Sequence, residues 1–322
     1  MSFSKEVKEE LSRQMPPARH CRIAEIAAII SFCGNVCISS GDRYSIKIHT
    51  EKLSVARKCF TLLKKTFNIY TEISIRQNAY LKKSKTYTIF IKRHEDALRI
   101  LQATKLLDEN HEVEENLSIA DNVVIMQLCC KRAFIRGAFL AAGSISTPQK
   151  FYHFEIVCQS MEKARQLQGI IQAFNIDAKI VVRKKYYVVY IKEGSGIVEI
   201  LNVMEAHVAL MNLENVRILK EMRNFVNRQV NCETANLNKT ISAAVKQIED
   251  IRYIEENAGL SSLPENLEEI ARVRLENAES SLKELGTMLN PPVGKSGVNH
   301  RLRKLSEIAE KMRQDKEEHE LW

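Results

Sequence analysis

The chain has 322 residues, of which 45% are hydrophobic and 27% are charged, and its formal net charge is +8. This composition excludes a disordered chain, and 11 glycines and 6 prolines are too few for a collagen-like or turn-dense all-β protein. The charge is uneven, since residues 1–240 carry +12 and residues 241–322 carry −4. A basic body of this kind indicates a polyanionic partner, most often nucleic acid.

The first segment, MSFSKEVKEELSR, is charged and amphipathic and lacks the apolar stretch of a signal peptide. No apolar run reaches the roughly 18–20 residues that span a bilayer. We therefore expect a cytoplasmic protein whose eight cysteines stay reduced. The cysteines form no C-x-x-C pair and the eight histidines lack ligand spacing. The sequence thus predicts no disulfide framework, no zinc site and no cofactor.

An internal repeat organises the first two thirds of the chain. Residues 22–36 resemble residues 131–145, and each stretch reads as an apolar helix that ends in a glycine, Gly34 or Gly143. Three further matches follow in the same order in both copies: Ala56 with Ala164, Phe67–Ile69 with Phe174–Ile176, and Tyr87–Lys92 with Tyr187–Lys192. Four ordered matches predict a duplicated α/β module.

Each copy predicts the same elements, namely a small-residue helix, a strand, an amphipathic helix, a two-stranded ribbon and a closing helix. The strand falls at residues 44–50 and 152–158, the amphipathic helix at 53–67 and 161–174, and the ribbon strands at 71–78, 85–92, 178–184 and 186–192. The predicted fold class is therefore α+β.

The ribbons concentrate basic side chains. Those that we predict to contact phosphate are Arg76, Lys82, Lys83 and Lys85 in the first copy and Arg183, Lys184 and Lys185 in the second. Two such ribbons would form a saddle over a DNA duplex, with each cation neutralising a phosphate. The alternative is that these lysines only maintain solubility and protect edge strands.

The remaining segments predict the domain limits. An acidic connector without basic residues separates the copies, and a polar stretch follows the second copy. The predicted segments are 1–107 (N-terminal arm and first module), 108–121 (acidic connector), 122–230 (second module), 231–240 (linker), 241–313 (all-α domain) and 314–322 (charged tail).

The all-α domain ends in a predicted helix-turn-helix. Ser281 and Glu284 form a capping box before a short helix, Pro291 and Pro292 end that helix, and a last helix covers 295–312. A recognition helix needs an apolar inner side and a cationic, hydrogen-bonding outer side. The predicted DNA-contacting residues are Lys295, Ser296, Asn299, His300, Arg301, Arg303 and Lys304. The alternative is an ordinary solvated face of a bundle helix.

The two glycine-ended helices resemble the motifs of the LAGLIDADG homing endonucleases, in the register Ile26–Gly34 and Ile135–Gly143. In that family the penultimate residue of each motif is an acid that binds the catalytic metal. Here these positions hold Cys33 and Ala142, which cannot bind a hard Mg²⁺ ion. The resemblance thus implies a DNA-binding shape without metal-dependent catalysis.

A LAGLIDADG-like pair followed by a helix-turn-helix is similar to the WhiA family of bacterial regulators. The most specific stretches are Glu214–Thr240 and Ser281–Leu305, and the family's usual serine is replaced by Gly294. The resemblance implies a nucleoid-associated regulator that binds double-stranded DNA and acts in cell division, chromosome segregation and, in spore formers, sporulation. In actinobacterial relatives it implies a WhiB-type protein partner. It implies no membrane and no small-molecule substrate.

Two alternatives stay open at this stage. One is a metal-dependent DNA endonuclease whose carboxylates come from other positions, for which Glu25 and Asp42 are the nearest acids. The other is a division organiser that binds DNA or proteins without regulating transcription. The residues do not separate this organiser from a regulator.

Overall fold

The computed structural model describes residues 2–39, 43–77, 85–107, 113 and 122–320. The chain divides into two compact units, residues 1–221 and 222–322. Each unit buries a hydrophobic core of its own, as expected for a chain of this length. In the described part of the chain, no helix is both long and apolar enough to cross a membrane.

The first unit contains the two copies of the repeat, preceded by helix α1 (Phe3–Arg13). The first copy comprises α2 (Arg19–Cys33), β1 (Gly34–Ser39), β2 (Arg43–Thr50), α3 (Leu53–Phe67), β3 (Glu72–Gln77), β4 (Lys85–Ile91) and α4 (His94–Thr104). A short 3₁₀ helix (Asn122–Ile125) leads into the second copy. That copy comprises α5 (Leu128–Ala142), β5 (Gly143–Ile145), β6 (Phe154–Cys158), α6 (Met161–Gln172), β7 (Lys179–Arg183), β8 (Tyr186–Ile191) and α7 (Gly194–Val203).

Each copy forms one antiparallel four-stranded sheet, with strand order β1-β2-β4-β3 in the first and β5-β6-β8-β7 in the second. The registers also correspond, since Ile46 pairs with Ile91 in the first sheet and Phe154 pairs with Ile191 in the second. Alternate residues of β2 and β6 are buried, as a sheet with one face on the core requires. The predicted α+β fold with a duplicated module is confirmed.

Strands β1 and β5 are absent from the sequence prediction, which placed only one strand between the first two helices of each copy. Both begin directly at the glycine that ends the preceding helix. A Cβ atom on Gly34 would lie 2.4 Å from the carbonyl oxygen of Ile30, and one on Gly143 would lie 2.3 Å from the Phe139 ring. Glycine is therefore what lets the chain pass from helix to strand without a loop.

Helices α2 and α5 pack against each other at the centre of the unit. A Cβ atom on Gly137 would lie 2.6 Å from the carbonyl oxygen of Glu25 and 2.9 Å from the Cβ of Ala28. The two helices therefore approach each other closely at this point, where only small side chains fit.

Helix α8 (His207–Ala258) covers a segment for which the sequence predicts a linker. The polar segment 231–240, predicted as a linker, is helical, and its side chains are exposed. Asparagine and threonine are weak helix formers, but no glycine or proline interrupts residues 207–258. Of the apolar residues that recur after 240, Ile251 and Ile254 are buried, whereas Ile241 and Val245 are exposed.

The second unit completes its core with a short 3₁₀ helix (Leu260–Ser262), α9 (Glu265–Glu276), α10 (Leu282–Thr287) and α11 (Lys295–Glu320). Helix α11 continues beyond its predicted end into the segment predicted as a charged tail, which again has no glycine or proline before residue 320. The predicted acidic connector, 108–121, lies outside the described residues except for Val113, which bridges to Leu107.

Candidate functional site

Helix α11 buries one side in the core of the second unit. Val298, Leu302 and Leu305 are each at most 1% exposed, and Ala309 continues the same stripe one turn later. Spacings of three and four residues put these side chains on one face of the helix. The opposite face is therefore available to a ligand.

Six of the seven predicted DNA-contacting residues lie on this open side. The exposed ones are Lys295, Ser296, Asn299, His300, Arg303 and Lys304. Arg303 is ion-paired only to Glu307 of its own helix, with Nε 3.3 Å from Oε1, among the residues that the structure describes.

The seventh predicted residue, Arg301, differs from the others because it packs against α9. Its Nη1 donates to the carbonyl oxygen of Asn266 at 3.4 Å and lies 3.7 Å from a carboxylate oxygen of Glu269. The structure thus gives Arg301 a role in holding α11 on α9.

Local contacts fix the start of α10 and the turn between α10 and α11. Ser281 Oγ accepts from the Glu284 amide, and Glu284 accepts from the Ser281 amide at 2.7 Å, so the predicted capping box is confirmed. A Cβ atom on Gly286 would lie 2.0 Å from the carbonyl oxygen of Val293, which explains the glycine at this close approach. At Gly294, the residue before α11, a Cβ atom would meet nothing within 4 Å, so a serine would fit there.

A cleft of about 550 Å³ lies beside the start of α11. Its lining includes Lys239 and Lys283 together with the predicted Lys295 and Asn299. Sequence reasoning missed the first two residues. Lys239 fell in the segment read as a linker, and no linear pattern brings it near α10 and α11. These lysines add positive charge next to the outer face of the helix.

The outward face of the first sheet is polar and basic. It forms a depression of about 590 Å³ lined by Lys47, His49, Arg76, Thr86 and Thr88 among others. Arg76 is exposed as predicted, and so is Lys85, where the strand β4 begins. The predicted phosphate contacts Lys82 and Lys83 lie outside the described residues.

The outward face of the second sheet is less basic than its predicted residues suggest. Arg183, Lys184 and Lys185 are exposed, but Arg183 Nη1 lies 3.2 Å from a carboxylate oxygen of Glu155. Glu155 also accepts from Ser144 at 3.1 Å and contacts His153 Nε2 at 3.0 Å. Part of the positive charge of this ribbon is therefore neutralised within the sheet.

The hydrogen bonds to Glu155 also set its ionisation. Burial alone would raise the pKa of this carboxyl, but the contacts from His153 and Ser144, together with Arg183, outweigh it and lower the pKa below its ordinary value. Glu155 is therefore ionised at neutral pH.

The ends of α2 and α5, where the endonuclease motifs carry acids, hold Cys33 and Ala142. The Cys33 thiol donates to the carbonyl oxygen of Ile29, and burial raises the pKa of the thiol to about 12. Neither side chain offers a carboxylate oxygen, the ligand that Mg²⁺ prefers.

Two lysines occupy the same ends of the central helices. Lys163 Nζ donates to the Ser31 carbonyl oxygen at 2.6 Å in α2, and Lys8 Nζ donates to the Leu140 carbonyl oxygen at 3.2 Å in α5. Ser31 and Leu140 are 109 residues apart, the repeat offset of the two helices. Burial lowers the pKa of both ammonium groups to about 8. Each cation interacts favourably with a helix C-terminus.

Glu25, one of the two acids considered for an alternative nuclease site, is fully buried and ion-paired. Its Oε1 lies 2.6 Å from Lys58 Nζ and 3.3 Å from Arg136 Nε, and Arg136 also contacts Glu205 at 2.7 Å. A carboxylate with two buried cationic partners is not free to bind a catalytic metal. The other acid, Asp42, lies outside the described residues.

A thiol and imidazole cluster lies at the opposite, N-terminal ends of α2 and α5. His20, Cys21, Cys129 and Cys130 bring their ligand atoms within 4.8 Å of one another. Sequence reasoning missed this group because it searched for ligand spacing along the chain. The repeat could have revealed it. His20 and Cys129 are 109 residues apart, and so are Cys21 and Cys130, which is the offset between Gly34 and Gly143.

Three family models match the chain. The WhiA N-terminal LAGLIDADG-like domain matches residues 19–107, the WhiA LAGLIDADG-like domain matches 131–223, and the WhiA C-terminal HTH domain matches 226–309.

Curated relatives cover almost the whole chain. A protein of Lachnoclostridium phytofermentans named "Probable cell division protein WhiA" is 60% identical over 314 residues, which are 98% of this chain and 100% of that protein. A protein of the same name from Alkaliphilus oremlandii is 49% identical and covers 98% of this chain and 99% of its own length. The crystal structure of full-length WhiA from Thermatoga maritima is similar with a TM-score of 0.58 and 27% identity, covering 97% of this chain and 99% of that one.

Proposed function

The chain belongs to the WhiA family, and on this premise we propose that it is a DNA-binding regulator acting in cell division and chromosome segregation. Helix α11 reads base edges in the major groove, and the basic face of the first sheet adds sequence-independent affinity. The division role rests on the names of its relatives, which call them probable cell division proteins. We place the protein in the cytoplasm, associated with the nucleoid.

The observation that carries the proposal is the outer face of α11. The first three turns of α11 expose six hydrogen-bonding or cationic side chains over a buried apolar stripe. Residues Lys295–Leu305 contain four basic residues and no acid, within a region whose net charge is negative. A helix that only filled a bundle would not need this local contrast.

The experiment is a binding titration of the full chain on duplexes. A preferred site is first selected from a random pool, and affinity is then measured on that site and on a scrambled duplex. His300→Ala and Arg303→Ala should each weaken binding to the selected site by about 1–3 kcal/mol and leave binding to the scrambled duplex nearly unchanged. Lys311→Ala, an exposed change later on the same helix, is the matched control.

Equal losses on both duplexes would contradict base reading by α11. A second measurement tests the regulatory part, since genome occupancy can be compared with transcript changes on deletion. If occupied genes keep their transcript levels while division fails, the protein is an organiser of division and not a transcriptional regulator. A binding partner of WhiB type would be found by co-purification, and its absence would leave the DNA proposal intact.

We propose further that the LAGLIDADG-like unit has no nuclease activity. The support is chemical, because Cys33 and Ala142 replace the two acids and Glu25 is engaged with Lys58 and Arg136.

A further inference from the structure

The cluster at the N-terminal ends of the central helices is built from two equivalent pairs of residues. His20 and Cys21 lie in the first turn of α2, and Cys129 and Cys130 lie in the first turn of α5. His20 Nδ1 lies 3.1 Å from the Sγ of Cys130, 3.4 Å from that of Cys21 and 4.0 Å from that of Cys129. One module supplies an imidazole and a thiol, and the other supplies two thiols.

These separations match those around a tetrahedral metal ion. With Zn–S distances of about 2.3 Å and Zn–N distances of about 2.0 Å, neighbouring ligand atoms of a tetrahedron are about 3.5–3.8 Å apart. The three measured distances from the imidazole nitrogen bracket this range, and the four ligand atoms lie within 4.8 Å of one another. Small rotations of the side chains would bring all four atoms to bonding distance of one central ion.

The surroundings suit a structural site with an entry route. Cys21 and Cys130 are buried, which shields the inner side, whereas His20 and Cys129 are exposed and give a cation access from solvent. Binding of the cation displaces the thiol protons, because the thiolate is the form of cysteine that binds metals. Thiolate and imidazole ligands select Zn²⁺ or another soft or borderline cation over Mg²⁺.

We propose that His20, Cys21, Cys129 and Cys130 bind one Zn²⁺ ion, which ties the first module to the second. The ion would lie about 20 Å, one length of α2, from the glycines that lead into the sheets. Its role would therefore be to hold the two central helices together, and DNA binding does not require it. With four protein ligands, the ion has no open position for a substrate.

The test uses the full untagged chain, reduced and freed of metal with a chelator. Titration with Co²⁺ should saturate at one ion per chain and give the absorption of tetrahedral cobalt with thiolate ligands. Zn²⁺ should abolish that absorption, and it should raise the temperature at which the protein unfolds.

Variants separate this site from the other cysteines. Changing Cys21→Ser and Cys130→Ser together should abolish the cobalt absorption. Because buried positions can disturb folding, His20→Ala and Cys129→Ser provide the surface test, and each should weaken Co²⁺ binding at least tenfold with unchanged circular dichroism. Cys232→Ser, an exposed change on α8, is the matched control and should have no effect.

Three outcomes would overturn the proposal. The first is a reduced wild-type chain that binds no Co²⁺. The second is cobalt absorption that survives the double cysteine variant or disappears in Cys232→Ser. The third is a Cys21–Cys130 disulfide that forms readily in air in a protein that takes up no metal when reduced. All of these readouts are made without DNA, so they are independent of the proposed function.

Discussion

The two sheets share their strand order and register, yet their outward faces differ at equivalent positions. Lys47, His49 and Thr88 of the first sheet correspond to Glu155, Val157 and Val188 of the second. Arg76 and Arg183 are equivalent and both exposed, but only Arg183 pairs with a carboxylate across the sheet among the described residues, at 3.2 Å. The duplicated module has therefore kept its framework while its two surfaces have diverged, and the first is better suited to a polyanion.

The largest expected effect concerns the buried ion pairs in the core of the first unit, which also differ between the two copies. Glu25 of the first copy is equivalent to Phe134 of the second, so the buried ion pairs are also asymmetric. Glu25→Ala should destabilise the first unit by about 3–5 kcal/mol, because Lys58 and Arg136 would stay buried without their shared carboxylate. Denaturant unfolding of the full chain measures this loss, and Glu95→Ala, at an exposed position, is the control. A loss as small as that of the control would show that the network is dispensable.

The next prediction compares the sheets as DNA-binding surfaces. Changing Lys47 and Arg76 to glutamate should weaken binding to all DNA sequences alike. It should also make the slope of log affinity against log salt concentration less steep by about 0.9 for each phosphate that is no longer neutralised. Reversing Arg183, Lys184 and Lys185 should change the slope less for each residue altered, because Glu155 already neutralises part of this ribbon. Affinity at several salt concentrations gives the slopes, with circular dichroism as the folding control.

Equal changes in the slope per altered residue would show that the two sheets contact DNA equally, as the symmetric saddle predicts. Unchanged slopes in both variants would leave α11 as the DNA contact and make the duplicated unit a scaffold.

A smaller effect is expected at Glu155 itself. Glu155→Gln keeps the shape of the side chain but removes its charge, so Arg183 becomes available to phosphate. The gain in DNA affinity should stay below about 1 kcal/mol, the usual value of an exposed ion pair. Glu199→Gln, an exposed acid on α7, is the control for the change in net charge. Weaker binding after Glu155→Gln would show that this carboxylate supports a DNA contact and does not oppose one.

The last prediction is that the protein does not cleave DNA at the ends of α2 and α5. Supercoiled plasmid incubated with the protein and Mg²⁺ or Mn²⁺ should stay intact, since Cys33 and Ala142 supply no carboxylate. Nicking that co-purifies with the protein and disappears in a fold-preserving variant next to Gly34 or Gly143 would contradict this prediction.

The sequence predicted what local patterns encode. The ends of α2 and α5 follow from Gly34 and Gly143, and the capping box at Ser281 marks the start of α10. The composition of residues 231–240 did not predict that α8 continues through them. The asparagines and threonines of this segment are weak helix formers and are equally typical of a linker.

The features that sequence reasoning missed depend on residues distant in the chain. The pairing of Arg183 with Glu155 requires the register of three strands, and the cluster of His20 with Cys130 requires two helices to pack. The repeat offset of 109 residues could have predicted the cluster, because it makes His20 equivalent to Cys129 and Cys21 equivalent to Cys130. That prediction also requires the assumption that the two helices pack against each other.

The contact between α2 and α5 also decides which modules can associate. If two first modules paired, Ala28 would meet a second Ala28 where the observed contact needs Gly137, and each Glu25 would have Ala27 in the place of Arg136. If two second modules paired, Arg136 would lack its shared carboxylate. The halves are therefore complementary and no longer interchangeable. If the two modules were produced as separate chains, this complementarity would favour pairing of a first module with a second one over either homodimer.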